Sequence, residues 1–133
     1  MRFMMIVKAS KESEAGVLPT EKELAEMAKF NEELLKAGVL LAGEGLQASS
    51  KGARVRYSGA KRTVIDGPFA EAKELIAGFW LIQAKSMEEA LEWARRVPFD
   101  DGEVEVRQVF ELEDFGAGAA IDHHTRIREQ LKS

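Results

Sequence analysis

Two apolar rhythms alternate along this chain. Residues 3–8, Phe3-Met4-Met5-Ile6-Val7-Lys8, are almost wholly apolar and do not alternate, which is how a strand buried on both faces reads. Thr20 with Glu23 forms a capping box, and Leu24, Met27, Ala28, Leu34 and Leu35 recur behind it at helical spacing. Asn31 falls inside that stripe, and Gly38 closes the helix. Residues 39–42 predict a second strand, leading into Gly43-Glu44-Gly45-Leu46. Small polar residues at 47–52 predict a loop. Segments 54–58 and 62–65 flank Gly59-Ala60-Lys61 as a hairpin. The Asp66-Gly67-Pro68 turn follows, then a short helical turn over 70–75. Residues 78–84 are a further strand with apolar residues on both faces. Ser86 with Glu89 predicts a second capping box, ahead of a helix stripe of Met87, Ala90, Leu91, Ala94 and Val97 that ends before Pro98. Val104, Val106 and Phe110 alternate with Glu105 and Arg107 in a last strand. A Gly-rich stretch at 114–118 then precedes a terminal helix over 119–132.

Without the hairpin and the tail this order is βαββαβ, an α+β ferredoxin-like arrangement with the first and third strands central. It predicts one domain over 1–133, with a core of 1–111, an inserted hairpin at 53–66 and a C-terminal extension at 112–133. Both helices then cover one face of the sheet. Yet Phe3 and Met5 oppose Met4 and Ile6, and Phe79 and Leu81 oppose Trp80 and Ile82, so a large apolar set is left on the uncovered face. Such a face predicts a two-fold homodimer, sheet against sheet. Glu105 and Arg107 share one face of the last strand and point into the space between the sheets. They read either as an interfacial ion pair or as a clamp for an anion or carbonyl group.

Composition narrows the classes. The chain of 133 residues is 45% hydrophobic and 32% charged, enough to fill one core and solvate one surface. No apolar run approaches the roughly 20 residues that span a bilayer, and residues 1–8 are too short for a signal segment. The absence of cysteine excludes disulfides, thiol nucleophiles and cysteine metal sites, and fits a cytoplasmic location. A net charge of −4 argues against nucleic acid or anionic membrane as partners.

The run Asp66-Gly67-Pro68-Phe69-Ala70-Glu71-Ala72-Lys73-Glu74, with Gly78-Phe79, Glu89-Ala90-Leu91-Glu92-Trp93-Ala94 and Val104-Glu105-Val106-Arg107, resembles the DGPF-motif branch of the YCII-related family. Ala37-Gly38-Val39-Leu40 and Gly43-Glu44-Gly45-Leu46 are similar as well, and the likeness spans residues 1 to about 111. The resemblance implies homodimerisation into a dimeric α+β barrel and a small-ligand pocket near the dimer interface. The wider family is discussed with a His–Asp pair, but the histidines here, His123 and His124, lie in the tail. The last strand also reads Arg107-Gln108 where relatives tend to have Arg-Pro.

Candidate chemistry centres on a few side chains. Asp66 reads as a turn residue before Gly-Pro, or as a general base with Glu71, Lys73 and Glu74 nearby. Asn31 can satisfy a buried backbone group or line a pocket; Glu44, between two glycines, can face the pocket, solvent or a salt bridge. Arg107 would anchor an anionic or carbonyl group. Lys51, Arg54, Arg56, Lys61 and Arg62 form a basic block that reads as a charged edge more readily than as a nucleic-acid surface. Adjacent His123 and His124 diverge by about 100° on a helix and do not suggest a metal site, and no phosphate-binding glycine loop occurs, so no cofactor is expected. The expected function is a dimeric small-molecule-binding protein with lyase-like or hydrolase-like acid–base chemistry, or a non-catalytic ligand-binding or regulatory module.

Overall fold

A computed structural model describes residues 1–132, without the Lys73 side chain. The two-sided apolar run forms β1 (Arg2–Lys8), flanked by β5 (Ile76–Gln83) and β6 (Val104–Gln108); β2 (Leu40–Gly45) completes an antiparallel sheet in the order β2-β5-β1-β6. The strands with two apolar faces are the central pair, as a ferredoxin-like fold requires. The described residues also form the helices α1 (Lys11–Glu14), α2 (Glu21–Lys36), α3 (Met87–Arg95) and α4 (Ala119–Lys132). The hairpin, β3 (Ala53–Ser58) and β4 (Lys61–Asp66), is a separate two-stranded arm.

Register decides which residues meet the helices. Met5 lies opposite both Trp80 and Val106, and Phe3 lies opposite Ile82. These side chains join Phe30 and Leu34 of α2, Ala90 of α3 and Val97 beyond it in one core cluster, within which Phe3, Met5, Leu34 and Ile82 are fully buried. The Phe30 ring meets Trp80 edge-on at 5.3 Å between centroids. On α2 the core line runs through Met27, Phe30 and Leu34, while Leu24 and Leu35 of the expected stripe are 52% and 66% exposed. Rotation by 100° per residue carries those two off the line that Phe30 defines.

The caps explain the helix boundaries. Thr20 accepts from the Glu23 amide at 3.1 Å, and Glu23 returns a bond to the Thr20 amide. Gly38 takes φ +72° after α2, where a side chain would be strained. The second box forms only in part. Ser86 accepts from the Glu89 amide, but Glu89 reaches past the cap to the Lys85 amide at 2.9 Å. The short α1 has no apolar stripe to announce it; Ser10 and Ser13 hold it by capping each other's amides. The terminal helix spans the predicted residues.

Asn31 faces the core. Its Oδ1 accepts the Trp80 indole N–H at 2.7 Å, which lets the large ring sit 95% buried with its donor satisfied. Asn31→Ala leaves that donor without its acceptor and is expected to cost about 1–3 kcal/mol. Chemical denaturation should show that loss, and a second change, Trp80→Phe, should cost less in the Asn31→Ala background than in the wild type.

Candidate functional site

The face that α2 and α3 leave uncovered is built in two rows. Glu44 lies opposite Phe79, Phe79 opposite Ile6, and Ile6 opposite Glu105. In the next row Ala42 lies opposite Leu81, Leu81 opposite Met4, and Met4 opposite Arg107. Met4, Ile6, Phe79 and Leu81 thus form an apolar floor with ionisable groups at both edges. Ile6 is 8% exposed, and the other three are half-buried.

On the β6 side one carboxylate is shared by two cations. Lys8 Nζ lies 3.7 Å from Glu105 Oε1, and Arg107 Nε lies 4.0 Å from Glu105 Oε2. Both contacts are long, so neither cation has its donors taken up, and Arg107 is 72% exposed. The group carries a surplus of one positive charge beside an apolar surface. Farther along the same face Arg2 makes a bidentate bond to Glu111, at 2.9 and 3.1 Å, and Arg128 of α4 approaches the same carboxylate at 3.9 Å. The bond from Arg2 holds the Glu111 carboxyl below its ordinary range.

The structure separates the residues expected to act together. Glu44 sits on the edge strand opposite to Arg107. Three strand spacings, about 14 Å, lie between them, so one small ligand does not bridge both within a chain. Close strand approach explains two glycines of this region but not Gly45, where a Cβ would meet nothing: a Cβ on Gly43 would lie 3.1 Å from the Trp80 ring, and one on Gly78 would lie 2.8 Å from the Glu44 carbonyl. Asn31 is across the sheet, in the helix-facing core. Lys8 is the residue that the sequence reading missed. Its parity with Met4 and Ile6 on β1 is the signal that could have found it.

Asp66 closes the foot of the arm, opposite Ala53, and is exposed. The turn after it is packed against residues 49–52. The Gly67 amide donates to the Gly52 carbonyl at 3.0 Å, and a Cβ on Gly67 would lie 1.8 Å from the Ser49 carbonyl oxygen, so only glycine fits. The Gly67-Pro68 bond is cis. The Phe69 amide donates to Ser49 Oγ at 3.1 Å, and the Arg54 guanidinium lies 3.7 Å from the centre of the Phe69 ring. Ser49 is held in turn by the Glu14 carboxylate, which accepts its amide at 2.7 Å and its hydroxyl. Those bonds, the hydroxyl's first, draw the Glu14 carboxyl below its ordinary range. Glu71 begins the 3-10 turn Ala72–Glu74 and is exposed, while the expectation for Lys73 falls on a side chain outside those described. Neither Asp66 nor Glu71 bonds to the Lys8–Glu105–Arg107 group. Two open concavities of 590 and 370 Å³ lie along α3 and between α3 and β6, and none of these residues lines either of them.

The sequence model of the YCII-related domain matches residues 1–113. An uncharacterised protein of Rhizobium meliloti (strain 1021) is 36% identical over 75 residues, which are 56% of this chain. The chain spans 60% of that relative's length. Among solved structures, 5-chloro-2-hydroxyhydroquinone dehydrochlorinase from Burkholderia phenoliruptrix AC1100, in complex with 2,5-dihydroxybenzoquinone, is 14% identical with a TM-score of 0.42. That match covers 84% of this chain and 95% of that one.

Two measurements test the junction. Gly67→Ala must displace the Ser49 backbone and is expected to lower stability by about 2 kcal/mol or more, read as a lower thermal midpoint. Glu14 has its pKa lowered in the folded state, so its stabilisation is present above the unfolded carboxylate range and is lost as pH falls through the folded value. Glu14→Gln should therefore melt lower than the wild type at pH 7, with the gap closing under acid.

Proposed function

The chain belongs to the YCII-related family, and from that premise we propose that it is a homodimer that binds a small organic anion between the two bare sheet faces. The observation that carries this reading is the shared carboxylate: Lys8 and Arg107 both lean on Glu105 at 3.7 and 4.0 Å, beside a floor of Met4, Ile6, Phe79 and Leu81. A second sheet laid over that floor excludes water, and excluding water strengthens the attraction of the surplus cation for a carboxylate or phenolate. Arg107 can offer a carboxylate two parallel donors, and the floor takes up the ligand's apolar body. Glu44 of the opposite edge reaches such a ligand only from the second copy, because in its own chain it lies about 14 Å away.

Asn31, engaged with Trp80, serves the fold rather than the ligand. A second reading adds lyase-like or hydrolase-like turnover with Asp66 as base. It draws on one observation: the Asp66 carboxylate is exposed and makes no ion pair among the described residues. No helix among those residues is long and apolar enough to cross a membrane. The cysteine-free composition suits a reducing compartment, and the cytoplasm is the proposed location.

Thermal-shift titration with small aromatic and aliphatic monocarboxylates, each paired with its neutral amide, tests the proposal. The acids should raise the melting temperature and the amides should not, and Arg107→Gln should weaken binding at least tenfold with an unchanged fold. Equal stabilisation by acid and amide, or an indifferent Arg107→Gln, overturns it. Under the second reading Asp66→Asn keeps binding and abolishes conversion of the bound acid.

A further inference from the structure

The arm forms a sheet apart from the main one. β3 and β4 pair over six registered positions, and among the described residues no other strand joins them. Alternation gives the arm two faces. Arg54, Arg56 and Lys61 lie on one with Ile65 and Thr63; at its foot this face turns to the body, where Arg54 covers the Phe69 ring and Ile65 is partly buried. The other face carries the cross-strand pair Val55 and Val64, and Tyr57 beneath the Arg62 guanidinium. Val55, Val64 and Tyr57 are 46%, 66% and 68% exposed. A lone two-stranded hairpin is marginal in water, and one whose outward face is its apolar face lacks a cover.

We propose that this outer face docks on the body of a second copy of the chain, so that each protomer of the dimer holds the other with its arm. The inference rests on the homodimer of the preceding section, though not on its ligand. Charge selects the occupant. Five cations against one carboxylate over residues 51–66 leave the arm at +4, so the rest of a chain of net −4 carries −8. Arg62 stands on the docking face and Arg54, Arg56 and Lys61 on the face behind it, so this charge draws the arm toward the acidic body of a second copy while Val55, Val64 and Tyr57 make the contact, and reciprocal arms close the assembly at two. The arm's exposed apolar patch is smaller than the ~800 Å² per partner of a standard interface, so it adds to the sheet contact rather than replacing it.

Sedimentation over a dilution series, on the full chain, tests this with three variants. Val55→Lys with Val64→Glu replaces the apolar pair by a cross-strand ion pair that retains the hairpin. Arg56→Glu with Lys61→Glu reverses charge without touching the apolar face. Met4→Glu alters only the sheet floor. Both arm variants should weaken dimerisation at least tenfold with unchanged circular dichroism, and added salt should narrow the gap between the charge-reversed arm and the wild type. Wild-type dissociation constants in both arm variants overturn the arm while leaving the sheet contact standing. Dissociation in the arm variants with an unaffected Met4→Glu supports the arm and overturns the sheet contact. A wild-type chain that stays monomeric at high micromolar concentration overturns the arm's docking on a second copy. So do arm variants that keep the dimer but lose retention on immobilised heparin, which would assign the arm to a polyanion.

Discussion

A four-stranded sheet with α2 and α3 packed on a single face constrains everything else in this protein. The central strands are apolar on both sides, so satisfying one side against α2 and α3 leaves Met4, Ile6, Phe79 and Leu81 on the other. The core itself is ordinary. Phe3, Met5, Leu34 and Ile82 are fully buried, and the polar Asn31 at its edge is matched to the Trp80 donor. The unusual surface is the second one, and it is where the cations of Lys8 and Arg107 gather around Glu105. Apolar floor and surplus charge are the two features on which the proposed binding of an organic anion rests.

Packing at the junction answers a different need. The chain leaves β2, makes the arm and returns to β5. Its return is fixed by backbone contact too close for any side chain, with Gly67 against the Ser49 carbonyl. Glu14 organises that contact from a helix of four residues, by accepting both donors of Ser49. The segment that looks most like chemistry in the sequence thus serves first as a joint. Asp66 stands at the joint's edge, exposed, rather than at its centre.

Much of the fold was legible in the residues because it depends on local rules. The two-sided runs named the central strands, Thr20 with Glu23 named the start of α2, and alternation in 104–106 named the outer strand. Where reading failed, a longer-range contact had intervened. Leu24 and Leu35 yielded the core to Phe30 because the Trp80 ring sits against it. The Glu89 carboxylate accepted from the Lys85 amide rather than the Ser86 amide, and α1 formed on a pair of serines that no apolar stripe accompanies. Lys8 went unread because a strand's last residue carries no sign of which carboxylate its neighbour strand will offer.

By itself the sequence determined the class of fold, the one-sided covering of the sheet and the shared face of Glu105 and Arg107. These follow from periodicity, and periodicity is a property of neighbouring residues. Only the tertiary structure decided the company each candidate keeps: Asn31 with Trp80 on the helix side, Glu44 on the edge away from Arg107, Asp66 at the foot of the arm. The physical reason is register. A shift of one residue between strands would move every side chain to the other face, and what sets the shift is packing between segments as distant as β1 and β6.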